Sequence, residues 1–444
     1  MKKQVMFAAG LLAGTLCMAQ GVSTPADPAP MAATNQSGPP LTLKRAFELA
    51  AKRSERLDIR AESIEQSKAR YNETRGGVLP NLKFNVSETL QDTSGTGTGG
   101  SGVQSTLTQG ERTESKFMLR QPLFQGFKEF AALKALKADE NQQRLLFQRE
   151  ATLLYQDVAL AFFTVIEKET ELSDLQALMN LSKSRIDDLR QRTNLGKSRN
   201  SEVVTAESQF ADYKAQEAAL RGDVAVARES LSFLVGEPIG STPIVDSLPD
   251  PTAVPDVSDL VTRSRDRSDV AALKQVVEGR SAGIRVARAG YYPSLVASGD
   301  YYLKRPGFQK DIKWDALFSL DVPIYQGGSV KAFNLEARSL LRQAQKDYER
   351  LARQTESDVR KSHASLSSSI EQTRLLDDAA KKARRGYELL DKEYRMGLST
   401  NLDVLQAMNT FETVKRDFDL ARAQSKLDLL NLRLAVEMAP EELP

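Results

Sequence analysis

Two long stretches of the chain carry the hydrophobic period of an α-helix. Each runs for about 70 residues from a proline to a glycine, and both of these residues recur in the other half of the chain. The stretches contain no further proline and are rich in Ala, Leu, Glu, Gln, Lys and Arg. This composition predicts two helices on the order of 100 Å long, far longer than a compact domain needs. A shorter helical pattern spans about 42–75.

The helical period breaks and then returns at two places. Leu195-Gly196 and Met396-Gly397 interrupt it, so we expect each pair to form the tip of a helical hairpin. Beyond the second tip, a heptad-like spacing favours packing of helix against helix. The residues at this spacing are Val404, Met408, Phe411 and Phe418.

Four shorter stretches alternate apolar and polar residues with the period of two that is typical of β-strands. The clearest runs from Trp314 to Ile324, where one face is apolar and the other contains Asp315, Ser319 and Asp321. Weaker versions lie at 83–90, 115–124 and 294–303. We therefore expect two β-hairpins, the first closed by the Gly/Ser/Thr-rich run 94–110 and the second by 304–310.

The two halves of the chain repeat the same landmarks. Pro122 and Pro323 occupy matching Pro-x-x-Gln-Gly motifs 201 positions apart, and the tip glycines are separated by the same interval. Internal duplication at this spacing predicts two structural repeats, which we place at 41–236 and 258–437. A Pro-rich linker at 237–257 joins them, and a tail at 438–444 follows.

The start of the chain has the features of an export signal. Residues 1–19 combine Lys2 and Lys3, an apolar run and the small-x-small site Cys17-Met18-Ala19, and a Pro-rich leader follows at 20–40. Acylation of Cys17 is a disfavoured alternative, because Leu16 stands where a small residue is expected. No later window approaches 18 apolar residues, so any membrane crossing is expected to use strands.

Composition excludes several classes of function. The chain has 61 Lys and Arg against 59 Asp and Glu, which gives no strong field to attract nucleic acid. A single histidine and a single cysteine leave no material for a zinc site or a thiol pair, so we expect no metal and no cofactor. His363 lies among serines within a long helix, and we expect no catalytic residues.

An exported chain with strands that are apolar on one face fits an outer-membrane barrel, since only a closed sheet pairs every backbone group in lipid. Four strands cannot close alone, whereas three chains would supply twelve and leave room for a lumen. An ordinary sheet with one wet face is the alternative. Aromatic residues lie near the strand ends, where interfacial belts occur: Tyr291, Tyr292, Tyr301, Tyr302, Trp314 and Tyr325.

The order of these elements, with the duplicated Pro-x-x-Gln-Gly and tip motifs, resembles the TolC-like outer-membrane efflux family over about 41–436. The resemblance implies a mainly α-helical fold with a small β part. Duplicated long helical hairpins would form a periplasmic tunnel, and two β-hairpins per chain would contribute to a homotrimeric, twelve-stranded barrel in outer-membrane lipid. A periplasmic adaptor would link the tunnel to an inner-membrane pump, as in a tripartite efflux or type I secretion system, and the duct would conduct the pump's substrates passively.

The resemblance also implies roles for residues at the tips. Glu202 and Asp403 would ring the tunnel mouth, and Tyr394 would help to close it. Adaptor contacts would fall at the tips, on Leu195, Gly196, Met396, Gly397 and Leu398. The simpler alternatives are helix-start acids stabilised by the helix dipole and, for the tyrosine, ordinary packing with Tyr387 and Leu390. Ser399 replaces the family's gate arginine, which puts a salt-bridge latch in doubt.

Two other functions remain open from the sequence. A periplasmic coiled-coil adaptor or scaffold without a barrel would account for the helices but not for the duplicated strand pairs. An extracytoplasmic enzyme finds little support in the residue inventory. The sequence does not name the exported substrate or the class of pump.

Overall fold

The computed structural model describes residues 40–91, 111–307 and 309–438. The predicted export signal, nearly all of the leader, the run 94–110 and the tail after Met438 lie outside these residues. The described elements are α1 (Leu43–Arg53), α2 (Glu55–Gly76), β1 (Asn81–Leu90), β2 (Glu111–Gln125), α3 (Lys128–Asn194), α4 (Asn200–Val235), α5 (Val257–Arg263), α6 (Ser268–Arg288), β3 (Ser294–Lys304), β4 (Trp314–Asp321), α7 (Ser329–Arg395) and α8 (Asn401–Ala435).

The two long helices are confirmed. α3 and α7 each contain 67 residues, and each turns back into a shorter helix, α4 or α8. α7 packs mainly along α8, while α3 packs against both α4 and α6. The short pattern at 42–75 divides into α1 and α2 because Ser54 ends one helix and caps the next, accepting a hydrogen bond from the Leu57 N–H at 3.4 Å.

The four predicted strands form one antiparallel sheet in the order β1-β2-β3-β4. β2 is longer than expected and carries an irregularity in its pairing between Pro122 and Phe124. β4 is shorter: it ends at Asp321, so the placement of Val322 and Ile324 in this strand was wrong. Pro323 has no N–H to donate to a ladder, which explains the early end.

The sheet has one apolar face and one polar face. Residues directly opposite each other in an antiparallel pair share a face, and one such row crosses all four strands. This row consists of Phe84, Phe117, Tyr301 and Trp314. On the other face, the ammonium of Lys116 lies 2.8 Å from a carboxylate oxygen of Asp300, and the Tyr302 hydroxyl donates to Asp315 at 3.1 Å.

Each repeat passes from sheet to long helix through two successive residues in the left-handed conformation. In the second repeat both are glycines, Gly327 (φ 60°) and Gly328 (φ 82°). In the first repeat they are Gly126 (φ 65°) and Phe127 (φ 61°). A side chain costs about 1–3 kcal/mol in this conformation, so Phe127 is strained where its counterpart is not.

The main core lies where α1, α3 and α4 meet the linker. Its largest fully buried side chains come from these three helices and from α8: Leu43, Tyr155, Val158, Phe162, Phe163, Val165, Leu231 and Leu430. The predicted linker is an ordered strap over this region. Leu41 pairs with it as an isolated parallel bridge to Ile244.

A buried lysine fastens the strap to the last helix. The Lys426 ammonium on α8 donates to Asp246 at 2.5 Å and to the Leu248 carbonyl at 2.8 Å, and it lies 3.1 Å from Asp250. Only 5% of the Lys426 side chain is exposed, whereas Asp250 is about half exposed. Among the described residues, the hydrogen-bond and ion-pair partners of this ammonium group all lie in the linker.

Replacing Lys426 with methionine should destabilise the protein by about 3 kcal/mol, because it leaves the Asp246 carboxylate, which is 23% exposed, without its cation and the Leu248 carbonyl without its donor. Circular dichroism of the purified protein during heating measures the change. The control is Lys382→Met, which breaks an exposed i,i+4 pair with Asp378 and should leave the midpoint unchanged. Equal midpoints for both variants would show that the strap is not held by this lysine.

Candidate functional site at the helical tips

The two tips share one backbone solution. Gly196 and Gly397 adopt φ values of 69° and 80°. In each tip the N–H after the glycine donates to the carbonyl five residues earlier at 2.8 Å, which closes the last helical turn. A Cβ atom on either glycine would meet nothing within 4 Å, so the requirement for glycine is conformational rather than steric.

The apolar side chains of the tips point away from the core. Leu195 is 70% exposed, Met396 66% and Leu398 74%. Leu402, which the sequence reasoning did not single out, is also exposed in the first turn of α8. The tips therefore offer an apolar surface that the protomer itself leaves uncovered.

The two predicted mouth acids occupy equivalent places, each in the first turn of the helix after its tip. Glu202 accepts a hydrogen bond from the Ser198 hydroxyl at 2.6 Å. Asp403 forms a capping box with Thr400: its Oδ2 accepts from the Thr400 N–H at 2.9 Å, and its own N–H donates to the Thr400 hydroxyl at 3.3 Å. Asp403 therefore caps its helix.

The capping contacts set the charge of Asp403. Hydrogen bonds from the hydroxyl and then the N–H of Thr400 hold the pKa of Asp403 below its usual value. All of these bonds use Oδ2, so Oδ1 has no hydrogen-bond partner among the described residues. The carboxylate is thus ionised at neutral pH and keeps one oxygen available.

Tyr394 lies inside the protomer near the tips. It is 7% exposed and packs in an apolar cluster with Tyr387 and Leu390, as the packing alternative predicted. The guanidinium carbons of Arg185 and Arg192 lie 3.8 and 4.7 Å from the centre of its ring. Both distances are those of cation–π contacts, so two charges of α3 hold this tyrosine of α7.

Arg185 joins the two helical hairpins, and the sequence reasoning missed it. Its Nε donates to Asn401 at 3.1 Å, and its Nη1 donates to Asp391 at the same distance. α3 is thereby linked both to α7 and to the start of α8. Ser399 does not make such a link, since its hydroxyl donates to the carbonyl of Leu390 at 3.2 Å and closes its own tip.

Burial makes this junction sensitive to substitution. The Arg185 side chain is 8% exposed, and burial lowers the pKa of its guanidinium, while Tyr394 and Asp391 oppose that shift. The group remains a cation at neutral pH. Its Nη2 is buried without a hydrogen-bond partner. The two bonds to Asp391 and Asn401 must therefore offset the free-energy cost of removing the guanidinium from water.

Other chemistry is limited in the part of the chain that the structure describes. These residues include no group of three or more His, Cys, Asp or Glu side chains placed to hold a metal ion. His363 has its Nε2 3.0 Å from the carbonyl oxygen of Pro255 in the linker. Among the described residues, no helix is long and apolar enough to cross a membrane.

Comparison with known proteins finds similarity over both repeats of the chain. The model of a family described as outer membrane efflux protein matches residues 47–237 and 263–436, one segment in each repeat. The chain belongs to this family. TolC of Escherichia coli strain K12 is 22% identical over 394 residues, which cover 84% of this chain and 77% of that protein. TolC of Vibrio cholerae is 23% identical, over 64% of this chain and 68% of that protein.

Solved structures show the same fold. A CusC structure superimposes with a TM-score of 0.78 at 15% identity, covering 89% of this chain and 91% of that one. VceC of Vibrio cholerae gives 0.76 at 16% identity, covering 89% and 96%. The predicted fold class is confirmed as mainly helical, with long helices and a four-stranded antiparallel sheet.

Membership of the outer membrane efflux protein family decides the class of function. The protein is an outer-membrane efflux channel of the kind found in tripartite efflux systems, and it is a transporter rather than an enzyme. The family implies a trimeric channel that acts with efflux pumps. The adaptor or scaffold alternative is thereby set aside.

Replacing Arg185 with methionine should loosen the tips without unfolding the protein, because it removes the bonds from α3 to α7 and α8 but keeps the bulk of the side chain. Amide hydrogen exchange of residues 390–401 should become faster. The control is Arg190→Met, which removes an exposed pair with Glu207 inside one hairpin. Equal exchange rates in the two variants would contradict a linking role for Arg185.

Proposed function

We propose that three copies of the chain close their sheets into one twelve-stranded barrel in the outer membrane. The observation that carries this proposal is the sheet itself: in the described residues, β1 and β4 each pair on one side only, and the face that carries Phe84, Phe117 and Phe318 is mainly apolar. In lipid an unpaired strand edge is too costly to persist, and β4 of one copy is suited to pair with β1 of the next. Twelve strands leave space for a lumen.

The helices extend this duct into the periplasm. Each long helix begins within a few residues of the sheet and ends at a tip roughly 100 Å farther along its axis. The tips are thus far from the membrane and available to a periplasmic adaptor and, through it, to an inner-membrane pump. The exposed side chains of Leu195, Met396 and Leu398 supply the docking surface, and Gly196 and Gly397 hold it in shape.

The tips also control passage. Glu202 and Asp403 line the mouth of the tunnel, where six carboxylates, two from each of three chains, attract cations into a narrow space. Tyr394, held between arginines of α3, keeps α7 close to the first hairpin. Opening the mouth then requires the Arg185 junction to part, and conduction through the open duct is passive.

Size and transport together test the proposal. The protein extracted from outer membranes in detergent should have the mass of three chains, and deletion of its gene should make cells accumulate a dye that the intact system expels. Plasmid-borne wild-type protein restores dye expulsion. A monomeric mass, or protein recovered from the periplasm without detergent, would refute the trimeric channel.

Neutralising the mouth acids should change ion flow but not assembly. The double variant Glu202→Gln, Asp403→Asn keeps hydrogen-bonding groups at both positions and removes six charges from each trimer, two for each of three chains. Conductance at low salt and cation selectivity in planar bilayers should both fall. The matched control is Glu55→Gln, which changes a first-turn acid of α2 remote from the tips. Wild-type conductance and selectivity in the double variant would show that these acids only start their helices.

A further inference from the structure

A ladder of phenylalanine rings leaves the sheet and continues onto the first turn of α3. Phe124 stands opposite Leu295 in the pairing of β2 with β3, so its side chain shares the apolar face of the sheet. Phe127 packs edge-on against it with ring centroids 5.1 Å apart, and Phe130 follows at 6.4 Å. Phe127 and Phe130 are both 64% exposed. These three residues form the phenylalanine ladder.

The stability of the protomer does not account for this ladder. Phe127 adopts a left-handed conformation that the second repeat gives to Gly328, so the backbone disfavours a side chain here. The ring gains little from burial in its own chain, because most of its surface is exposed. The counterpart of Phe130 in the second repeat is Lys331, so the ladder belongs to the first repeat only.

We propose that the phenylalanine ladder binds the acyl chains of phospholipids in the leaflet that faces the periplasm. It continues the apolar face of the sheet beyond the last strand pairs, and phenyl rings carry no polar group that would need water. Lys128, the exposed first residue of α3, supplies a cation next to the ladder that suits a lipid phosphate. The inference rests on the proposed position of the sheet in the membrane.

On this view, the lipid-contacting surface of the protein extends one helical turn past its strands, and it does so once in each chain. The strain at Phe127 is retained because the ring anchors the junction of sheet and helix at a fixed depth. A second copy of the chain is the competing occupant, since a neighbour could cover the same rings.

The native tryptophan content allows a direct test, because Trp314 is the single tryptophan of the chain. In a Trp314→Phe background, Phe130→Trp reports on the ladder and Phe318→Trp on the apolar face of the sheet. The full trimer is reconstituted in phosphatidylethanolamine–phosphatidylglycerol vesicles whose acyl chains are brominated or not. Both reporters should lose most of their emission in the brominated vesicles.

The two reporters separate the possible failures. Quenching at position 318 but not at 130 overturns the ladder proposal and leaves the channel intact, and resistance to aqueous iodide at 130 would then identify a second copy as the cover. Absence of quenching at both positions would overturn the membrane position of the sheet itself.

A second variant distinguishes lipid binding from packing. Phe127→Gly copies the second repeat and relieves the strained backbone, so the unfolding midpoint in detergent should stay the same or rise. The gain in midpoint on transfer from detergent to phospholipid vesicles should be smaller than in the wild type. An equal loss of midpoint in detergent and in vesicles would mean that the ring serves the protomer and would overturn the proposal.

Discussion

A helix of 67 residues must bury a continuous stripe along its whole length, because helical hydrogen bonds and propensity contribute little net stability in water. This constraint organises the rest of the protein. The chain reverses after α3 and after α7, and each of these helices packs against the shorter helix that follows it. α6 packs against α3 as well. The tips lie where the helices reverse, so their positions follow from the lengths of the helices they end.

The sequence predicted the features that depend on local periodicity. The long helices, the helical tips at Gly196 and Gly397 and the two β-hairpins each leave a repeating pattern or a marked residue, and duplication reinforces the pattern. The early end of β4 could have been inferred from Pro323. The linking role of Arg185 could not be inferred, because an arginine on a helix is ordinarily part of a solvated face. Its distant partners, Asp391 and Asn401, become known only from the structure. Likewise, no local signal places Phe127 in a left-handed conformation.

The two repeats have kept one backbone and changed its side chains. Glu202 accepts a hydrogen bond from the Ser198 hydroxyl, whereas Asp403 completes a capping box. Phe127 occupies a position that the other repeat leaves to glycine. Arg185 reaches from the first hairpin to the second. A trimer of such chains has six hairpins of two kinds alternating around its axis, so adjacent tips present different surfaces to whatever meets them.

The strap has a consequence for the order in which the chain matures. Leu41 pairs with the linker, and the linker is fastened through Lys426, 180 positions beyond Asp246, to the last helix. Contacts between such distant segments close large loops, and folding that depends on them is slow. The core of the first repeat also contains Leu430 and Leu434 of α8, so its packing is complete only when this C-terminal helix is in place. In an exported chain of this design, the contacts between the linker and α8 can form only after both segments have crossed the inner membrane.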